Sequence, residues 1–300
     1  MKDTIILVVI VSYNSMQWAR ICYDSLRQST IPCRIMTIDN GSTDGTQEYI
    51  RSHYPEVELV ETGANLGFGK ANNIGLQKAL DDGYEYVYLL NQDAWIKPDT
   101  FEKLIAISKK YPEYGILSPM QMQANEEHLD CNFCSYSIGT EQKYYPRLIE
   151  DLYFKRLFDV YETNDVMAAH WFITRNCIEI VGGFSPTFTH YGEDNNYCKR
   201  VRYWKMKIGV VPGCHAVHDR ETRPNTSEKI MYFEHYIAKL DKFSNPLCTV
   251  PVMSLVKEGL RQSLMRRDKV LFKYTCRILK EKKQIEANLA RSLKPCAFLK

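Results

Sequence analysis

The sequence predicts an α/β fold: a mostly parallel central sheet flanked by helices, with a C-terminal helical extension. Three observations predict it. Ile5–Val11 is an unbroken apolar run rich in β-branched residues, as a strand buried on both faces requires. Through the first hundred residues such runs alternate with helical patterns, the signature of βαβ units with right-handed crossovers. Each run ends in a polar or Gly-containing segment, and in open α/β sheets the ligand lies beyond those carboxyl ends.

The elements follow in order. The first run ends at Ser12-Tyr13-Asn14, and Ala19, Cys22, Tyr23 and Leu26 form the apolar stripe of a helix. Arg34–Ile38 is a second strand ending in Asp39-Asn40-Gly41-Ser42; Asp44 with Gln47 three residues on has capping-box spacing. Val57–Val60 is a third strand, Gly69–Leu80 a helix, and Tyr84–Leu90 a fourth strand ending in Asn91-Gln92-Asp93. A helix over Asp99–Lys110 closes this half. Residues 120–165 are polar and aromatic with weak periodicity, which predicts an irregular insertion acting as a lid or acceptor loop. Val166–Thr174 resumes as a strand, Glu193–Lys205 as a helix, and Ile208–Val211 as a strand stopped by Pro212. The domain reading is a catalytic unit over 1–244, with a nucleotide half to about 115 and an acceptor half from 116, then a basic amphipathic tail over 245–300.

Composition bounds the class. Hydrophobic residues at 45% and charged residues at 25% exclude a disordered, collagen-like or coiled-coil chain. The longest strongly apolar run is seven residues, far short of the ~20 that span a bilayer. The start reads as a buried strand rather than a signal peptide, because an acidic residue precedes the run and no small-residue cleavage site follows. The net charge of +3 is uneven: Leu255–Lys300 carries 13 Lys/Arg against 4 Asp/Glu, so the remainder is mildly acidic. Ten cysteines in 300 residues are too sparse for a disulfide scaffold and read as reduced thiols of a cytoplasmic protein. Cys131 and Cys134 have CxxC spacing without the second pair of a zinc site.

Common nucleotide fingerprints fail. Gly67-Phe68-Gly69 would need Gly where Asn72 stands, and a P-loop ending at Lys70 would need Gly and Ser/Thr where Ala64 and Ala71 stand. Other side chains carry the chemistry. Asp39 can accept from a nucleobase ring N–H, or be a turn carboxylate satisfied by the amides of Ser42 and Thr43. Asp93 follows an apolar strand, where a carboxylate needs a partner; a divalent cation on a diphosphate is one. A helix N-cap is the other reading, which Asp99 fills better. His218, at a strand-like end, can complete the cation site with Asp93. The helix after Tyr191-Gly192-Glu193-Asp194 has a stripe at Tyr197, Val201, Trp204 and Ile208, with Lys199, Arg200, Arg202 and Lys205 pointing away. Extended backwards, that stripe reaches Asp194, while Glu193 lies about 100° round the helix. Asp194 is then a candidate general base for a hydroxyl, or a charge satisfying the helix N-terminus.

Six segments occur in order: Ser12-Tyr13-Asn14, Ile38 to Thr46 (IDNGSTDGT), Asn65 to Asn73 (NLGFGKANN), Leu89 to Asp93 (LLNQD), Val181 to Phe184 (VGGF) and Tyr191 to Asp194 (YGED). Together they resemble the family 2 inverting glycosyltransferases of the GT-A fold, in particular a rhamnosyltransferase-like branch with Asn-x-Asp in place of Asp-x-Asp. The resemblance spans about residues 5–220 and implies the roles. Asp39 touches the base; Ser12, Asn14, Asn40, Ser42, Asn65, Gly67, Asn91 and Glu193 line the donor site; Asp93 holds Mn2+ or Mg2+ with His218 assisting; Asp194 is the catalytic base. It implies a nucleoside-diphosphate sugar donor, with rhamnose as the first guess, and a saccharide or lipid-linked saccharide acceptor in surface polysaccharide synthesis. Asn91 is the departure from the commoner acidic pair.

In the tail, Leu260, Leu264, Leu271, Tyr274, Ile278, Ile285 and Leu289 recur on one helical face among Lys and Arg. Such a helix can lie on anionic lipid, placing the protein peripherally on the inner face of the cytoplasmic membrane. It can equally pack on the catalytic domain or pair in a homodimer. No base-reading motif accompanies the charge, so nucleic acid is not an expected partner. Two other functions compete: a catalytically inactive sugar-nucleotide-binding or scaffolding subunit, and a nucleotidyltransferase. The second would need a Gly-rich basic loop after the first strand, where Ser12-Tyr13-Asn14-Ser15-Met16 stands.

Overall fold

A computed structural model describes residues 5–138, 147–220, 227–247 and 250–300. Nine strands form one sheet: β1 Ile6–Ser12, β2 Arg34–Asp39, β3 Glu58–Glu61, β4 Tyr86–Asn91, β5 Ala94–Ile96, β6 Tyr114–Met122, β7 Tyr161–Thr163, β8 His170–Thr174 and β9 Lys207–His218. The helices are α1 Met16–Arg27, α2 Thr46–His53, α3 Phe68–Asp82, α4 Thr100–Lys110, α5 Cys131–Ser137, α6 Arg147–Tyr153, α7 Arg175–Val181, α8 Glu193–Tyr203, α9 Ser227–Tyr232, α10 Ala238–Phe243, α11 Val252–Arg266 and α12 Lys269–Ser292. A π-helical turn, Phe233–Ile237, joins α9 to α10.

Alternation along the strands builds a core on each face of the sheet. Leu7 and Val9 of β1, with Val87 and Leu89 of β4, pack with Ala71 and Leu76 of α3, Ile178 of α7 and Tyr197 of α8. Their neighbours Ile6, Val8, Ile10, Tyr86, Tyr88 and Leu90 face Ala19, Cys22, Tyr23, Ile50, Phe101 and Leu104 of α1, α2 and α4. Each such side chain contributes about 1.5–3 kcal/mol over leaving it in water. This explains why the strands read as continuous apolar runs.

The sheet order is β3-β2-β1-β4-β8-β6-β9-β5, with β7 on β9. It is parallel through β3-β2-β1-β4, then mixed: β8 is antiparallel to β4 and β6, while β6 and β9 run parallel. Chain order reverses between β1 and β4, so their carboxyl ends, Ser12 and Asn91, flank the switch-point crevice.

Several expectations need correction. β9 does not stop at Pro212. Its pairing with β6 jumps from Pro119↔Val211 to Met120↔His215, so the residue lacking an N–H sits in the irregularity and the strand continues to His218. Asp44 and Gln47 form no capping box: the N-cap is Gly45, and the Asp44 carboxylate accepts from Met16 N and from Thr46 N and Oγ1. Arg200 does not point away but is fully buried; its guanidinium donates to the carbonyls of Val181 and Gly183 and lies over the Phe298 ring. Residues 120–165 are not uniformly irregular, since they hold the end of β6, α5, α6 and β7; residues 139–146 lie outside the described residues.

The tail folds back on the body. Ile278 and Ile285 of α12 and Val256 of α11 bury against Phe188, Tyr236, Ile237, Leu240 and Phe243, and Leu271 is buried too, so the apolar stripe largely faces protein. These contacts join side chains on both sides of residue 245. Leu264 stays exposed. The end of the tail is sewn to α7 by Gly183 N→Ala297 O (2.7 Å) and Cys296 N→Ile180 O (3.2 Å). Gly182, at φ +84°, has no room for a Cβ against the Ala297 backbone. No helix among the described residues is long and apolar enough to cross a membrane.

Candidate active site

Pairing register gathers the first set of residues. Ser12 sits beside Asp39, and Val11 beside Asn91. Asp39 is fully buried and accepts from five donors: Ser12 Oγ, Gly41 N, Ser42 N, Ser42 Oγ and Gln47 Nε2. Burial pushes its carboxyl up, but the bonds from Ser42, Gln47 and Ser12 outweigh this and hold it below the ordinary value. Asp39 thus organises the loop, and five donors fill both its oxygens. Asn14, at φ +50°, clasps the same loop: its N donates to Ser42 Oγ and Thr43 N donates to its Oδ1. Asn40 is buried, its Oδ1 facing Leu66 N at 3.4 Å. Gln92 joins the two strand ends, accepting from Tyr13 N (2.6 Å) and donating to Tyr13 O (3.2 Å); the sequence reading assigned Gln92 no role.

The Asn65–Asn73 segment joins the two halves of the site. Asn65 is exposed and accepts from Gly67 N. Gly67, at φ +80°, passes so close to the 190s loop that a Cβ would lie 2.5 Å from Thr189 O, and a Cβ on Gly69 would lie 2.9 Å from Phe184 Cβ. Asn73 clamps the Phe184 backbone, donating to its O (3.0 Å) and accepting from its N (2.6 Å). These motif residues hold the start of α3 against the loop between α7 and α8, a packing role that spacing alone does not reveal.

Asp93 and His218 meet because β5 pairs with β9: Ala94 stands opposite His218, and Asp219 N donates to Asp93 O (2.8 Å). Both side chains are almost fully buried, with His218 Nε2 3.6 Å from Asp93 Oδ1 and Nδ1 3.3 Å from Asp130 Oδ2. Asn91 Nδ2 is 3.5 Å from the same Nε2. Among the described residues no group of three or more His, Cys, Asp or Glu side chains could hold a metal ion. The Asp93–His218 pair is instead a two-donor set, the kind that completes its coordination with substrate phosphates and water.

Glu193 and Asp194 open α8 after Gly192, which takes φ +87°. Glu193, not Asp194, is the more buried: it is 7% exposed and its Oε2 has no hydrogen-bond partner among the described residues, whereas Asp194 is half-buried and accepts from Asn195 N. Burial, with the Asp194 charge adding, pushes the Glu193 carboxyl up to about 8. Burial raises Asp194 as well, against the lowering pull of the Asn195 amide and Arg220. The Arg220 charge also acts on Asp130 and His218, so the Asp93–His218 pair and the α8 carboxylates share one electrostatic neighbourhood. A groove of about 790 Å³ between α1 and β5, lined by Trp18, Arg20, Asp24, Trp95 and Lys97, adjoins this region through Asp219.

The sheet order and its switch-point crevice, with an organised acidic loop and a buried carboxylate–imidazole pair beside a raised acid, belong to a GT-A-type fold. The match of residues 7–166 to the glycosyl transferase family 2 model places the chain in that family. Similar curated proteins include the N-acetylglucosaminyl-diphospho-decaprenol L-rhamnosyltransferase of Mycobacterium tuberculosis, 35% identical over 97 residues covering 30% of this chain. The chain spans only about a third (32%) of that relative's length. The low-salt glycan biosynthesis hexosyltransferase Agl10 of Haloferax volcanii is 24% identical over 83% of this chain and 80% of its own. The rhamnosyltransferase WbbL of Escherichia coli is 23% identical over 71% of this chain and 83% of its own. Among solved structures, S. aureus TarS 1-349 shares the fold with a TM-score of 0.56 at 14% identity, over 96% of this chain and 80% of that one. GalNAc-T7 with UDP, GalNAc and Mn2+ gives 0.57 at 16% identity, over 82% and 51%.

Proposed function

We propose that the chain transfers a sugar, rhamnose foremost, from a nucleoside-diphosphate donor to a saccharide or lipid-linked saccharide acceptor, inverting the anomeric carbon. The observation that carries the reading is the half-buried Asp194, its carboxyl raised by burial, in the electrostatic neighbourhood of the Asp93–His218 pair. The names of the relatives, among them the dTDP-rhamnosyl transferase RfbF of Shigella flexneri (22% identical over 71% of this chain), support the donor.

The step is a single displacement. Asp194 takes the proton of an acceptor hydroxyl as that oxygen attacks the anomeric carbon from one face. The bond from that carbon to the diphosphate oxygen breaks, and its electron pair leaves on the nucleoside diphosphate. The loop around Asp39, with Ser12, Asn14, Asn40 and Ser42, receives the nucleoside. Asn65, Gly67, Asn91 and Glu193 border the sugar and diphosphate. Asp93 and His218 would hold Mn2+ or Mg2+, whose charge offsets the negative charge growing on the leaving group.

A thermal-shift screen of nucleotide sugars with manganese, followed by NMR of the product anomer, tests the reading. Stabilisation by dTDP-rhamnose and an inverted product support it; a retained anomer, or binding without turnover, overturns it. The last outcome is that of an inactive binding subunit. We place the protein at the inner face of the cytoplasmic membrane through charge, since the tail's apolar stripe is largely spent on the body. Lys273, Lys280 and Lys283 are exposed on α12, and each is worth about 1 kcal/mol near an anionic surface. Replacing all three with Glu should abolish sedimentation with phosphatidylglycerol vesicles; unchanged sedimentation would sink this placement.

A further inference from the structure

We propose that Asp130 is the positioning residue of the cation site: it fixes the His218 tautomer that leaves Nε2 free to ligate. The proposal rests on the cation reading above and goes beyond it, because Asp130 touches neither donor nor cation.

Asp130 comes from the insertion after β6, far in sequence from Asp93 and His218. It is only 2% exposed, and its two oxygens have separate duties. Oδ1 accepts from Phe133 N at 2.8 Å, as the N-cap of α5. Oδ2 faces His218 Nδ1 at 3.3 Å. That nitrogen is buried and makes no well-aligned hydrogen bond among the described residues, so Asp130 is the acceptor in place to take its proton. With the Nδ1 proton held by Asp130, Nε2 is the nitrogen that faces Asp93 Oδ1, 3.6 Å away, and the one that a cation shared with Asp93 would meet once it displaces the Nε2 proton. A ligating imidazole commonly donates its other N–H to a carboxylate, and loss of that partner typically costs 10–100-fold in metal affinity. Backbone pairing alone does not fix the ring: Asp130 N donates to Gln121 O (2.8 Å), which ties the start of α5 to β6 and sets the carboxylate at a constant height beside β9.

Asp130→Asn separates this role from a structural one. Asn is as good an N-cap as Asp, so its Oδ1 keeps the Phe133 amide. Its Nδ2, a donor, then faces His218 Nδ1, which must become the acceptor. The proton moves to Nε2 and the lone pair facing Asp93 is lost. The test uses the full chain, 15N-labelled at histidine, with manganese and UDP as probes. With magnesium, which is diamagnetic, and UDP bound, we expect long-range 1H–15N spectra to show His218 protonated at Nδ1 alone in the wild type and at Nε2 in Asp130→Asn. Electron paramagnetic resonance should show manganese affinity, with UDP present, reduced about 10–100-fold at an unchanged melting temperature. His218→Ala is the control for a lost ligand. Wild-type affinity or an unchanged tautomer in Asp130→Asn overturns the positioning role while leaving the cation reading intact. A wild type that binds no manganese with UDP, or a His218→Ala variant that binds it normally, overturns both.

Discussion

The two acidic loops of this crevice are opposites. Around Asp39 the chain supplies every hydrogen bond the carboxylate can use, and its pKa falls. Around Glu193 and Asp194 it supplies almost none: one Glu193 oxygen is without a partner among the described residues, and both carboxyls are raised by burial. The first loop is built to hold a shape. The second leaves its partly or fully buried acids short of partners, which raises basicity and costs stability. Under the proposed function, the contrast would give recognition to the parallel half of the sheet and proton transfer to the mixed half.

The largest expected effect comes from the second loop. Asp194→Asn should lower kcat by about 10³-fold, the scale of a general base, with donor binding in a thermal-shift assay unchanged. Because burial penalises the ionised form, the variant should melt at or above the wild-type temperature at neutral pH. Asp39→Asn should do the reverse. It turns one acceptor into a donor among five donors, and leaving buried donors unsatisfied costs about 1–3 kcal/mol. We expect a lowered melting temperature and a raised donor KM with kcat nearly kept. If Asp39→Asn lost kcat while Asp194→Asn lost stability, the division of labour between the loops would be wrong.

How far the sequence foretold this contrast depends on the range of the interaction. Strand runs and helix stripes are local patterns. β1, β2, β4 and α1 were legible because each is apolar on the period that its own burial demands. The ends of these strands, Ser12, Asp39 and Asn91, followed from the parallel topology. What spacing could not show depends on long-range approach. Arg200 sits on the inward side of α8 because the carbonyls of Val181 and Gly183 and the ring of Phe298, almost a hundred residues further on, accept a guanidinium there. Short β5 was invisible as three residues, yet its pairing with β9 is what brings Asp93 to His218. Asp130 lay in a stretch without periodicity; Asp before a helix start was the one cue, and it pointed to the cap rather than to the histidine.

The last effect sharpens the contrast most, because it is read from pH alone. Glu193 is protonated in both folded and unfolded chains below its ordinary value of 4.5, and in the folded chain up to about 8. Between those limits the unfolded chain ionises while the folded one does not. Stability from this group is therefore full at low pH and falls as pH rises through the window, by up to about 1.4 kcal/mol per unit. Glu193→Gln has no such titration. It should match the wild type in urea melts at pH 4.5, and its relative stability should climb to a plateau near pH 9. Asp39 has the opposite sign, since its lowered carboxyl loses its contribution only on acidification below the ordinary aspartate range, so Asp39→Asn should approach the wild type at low pH. Parallel stability profiles for wild type and Glu193→Gln from pH 5 to 9 would mean that Glu193 is ionised in the fold. The unpartnered oxygen would then have a counter-charge, and the second loop would be no more starved of partners than the first.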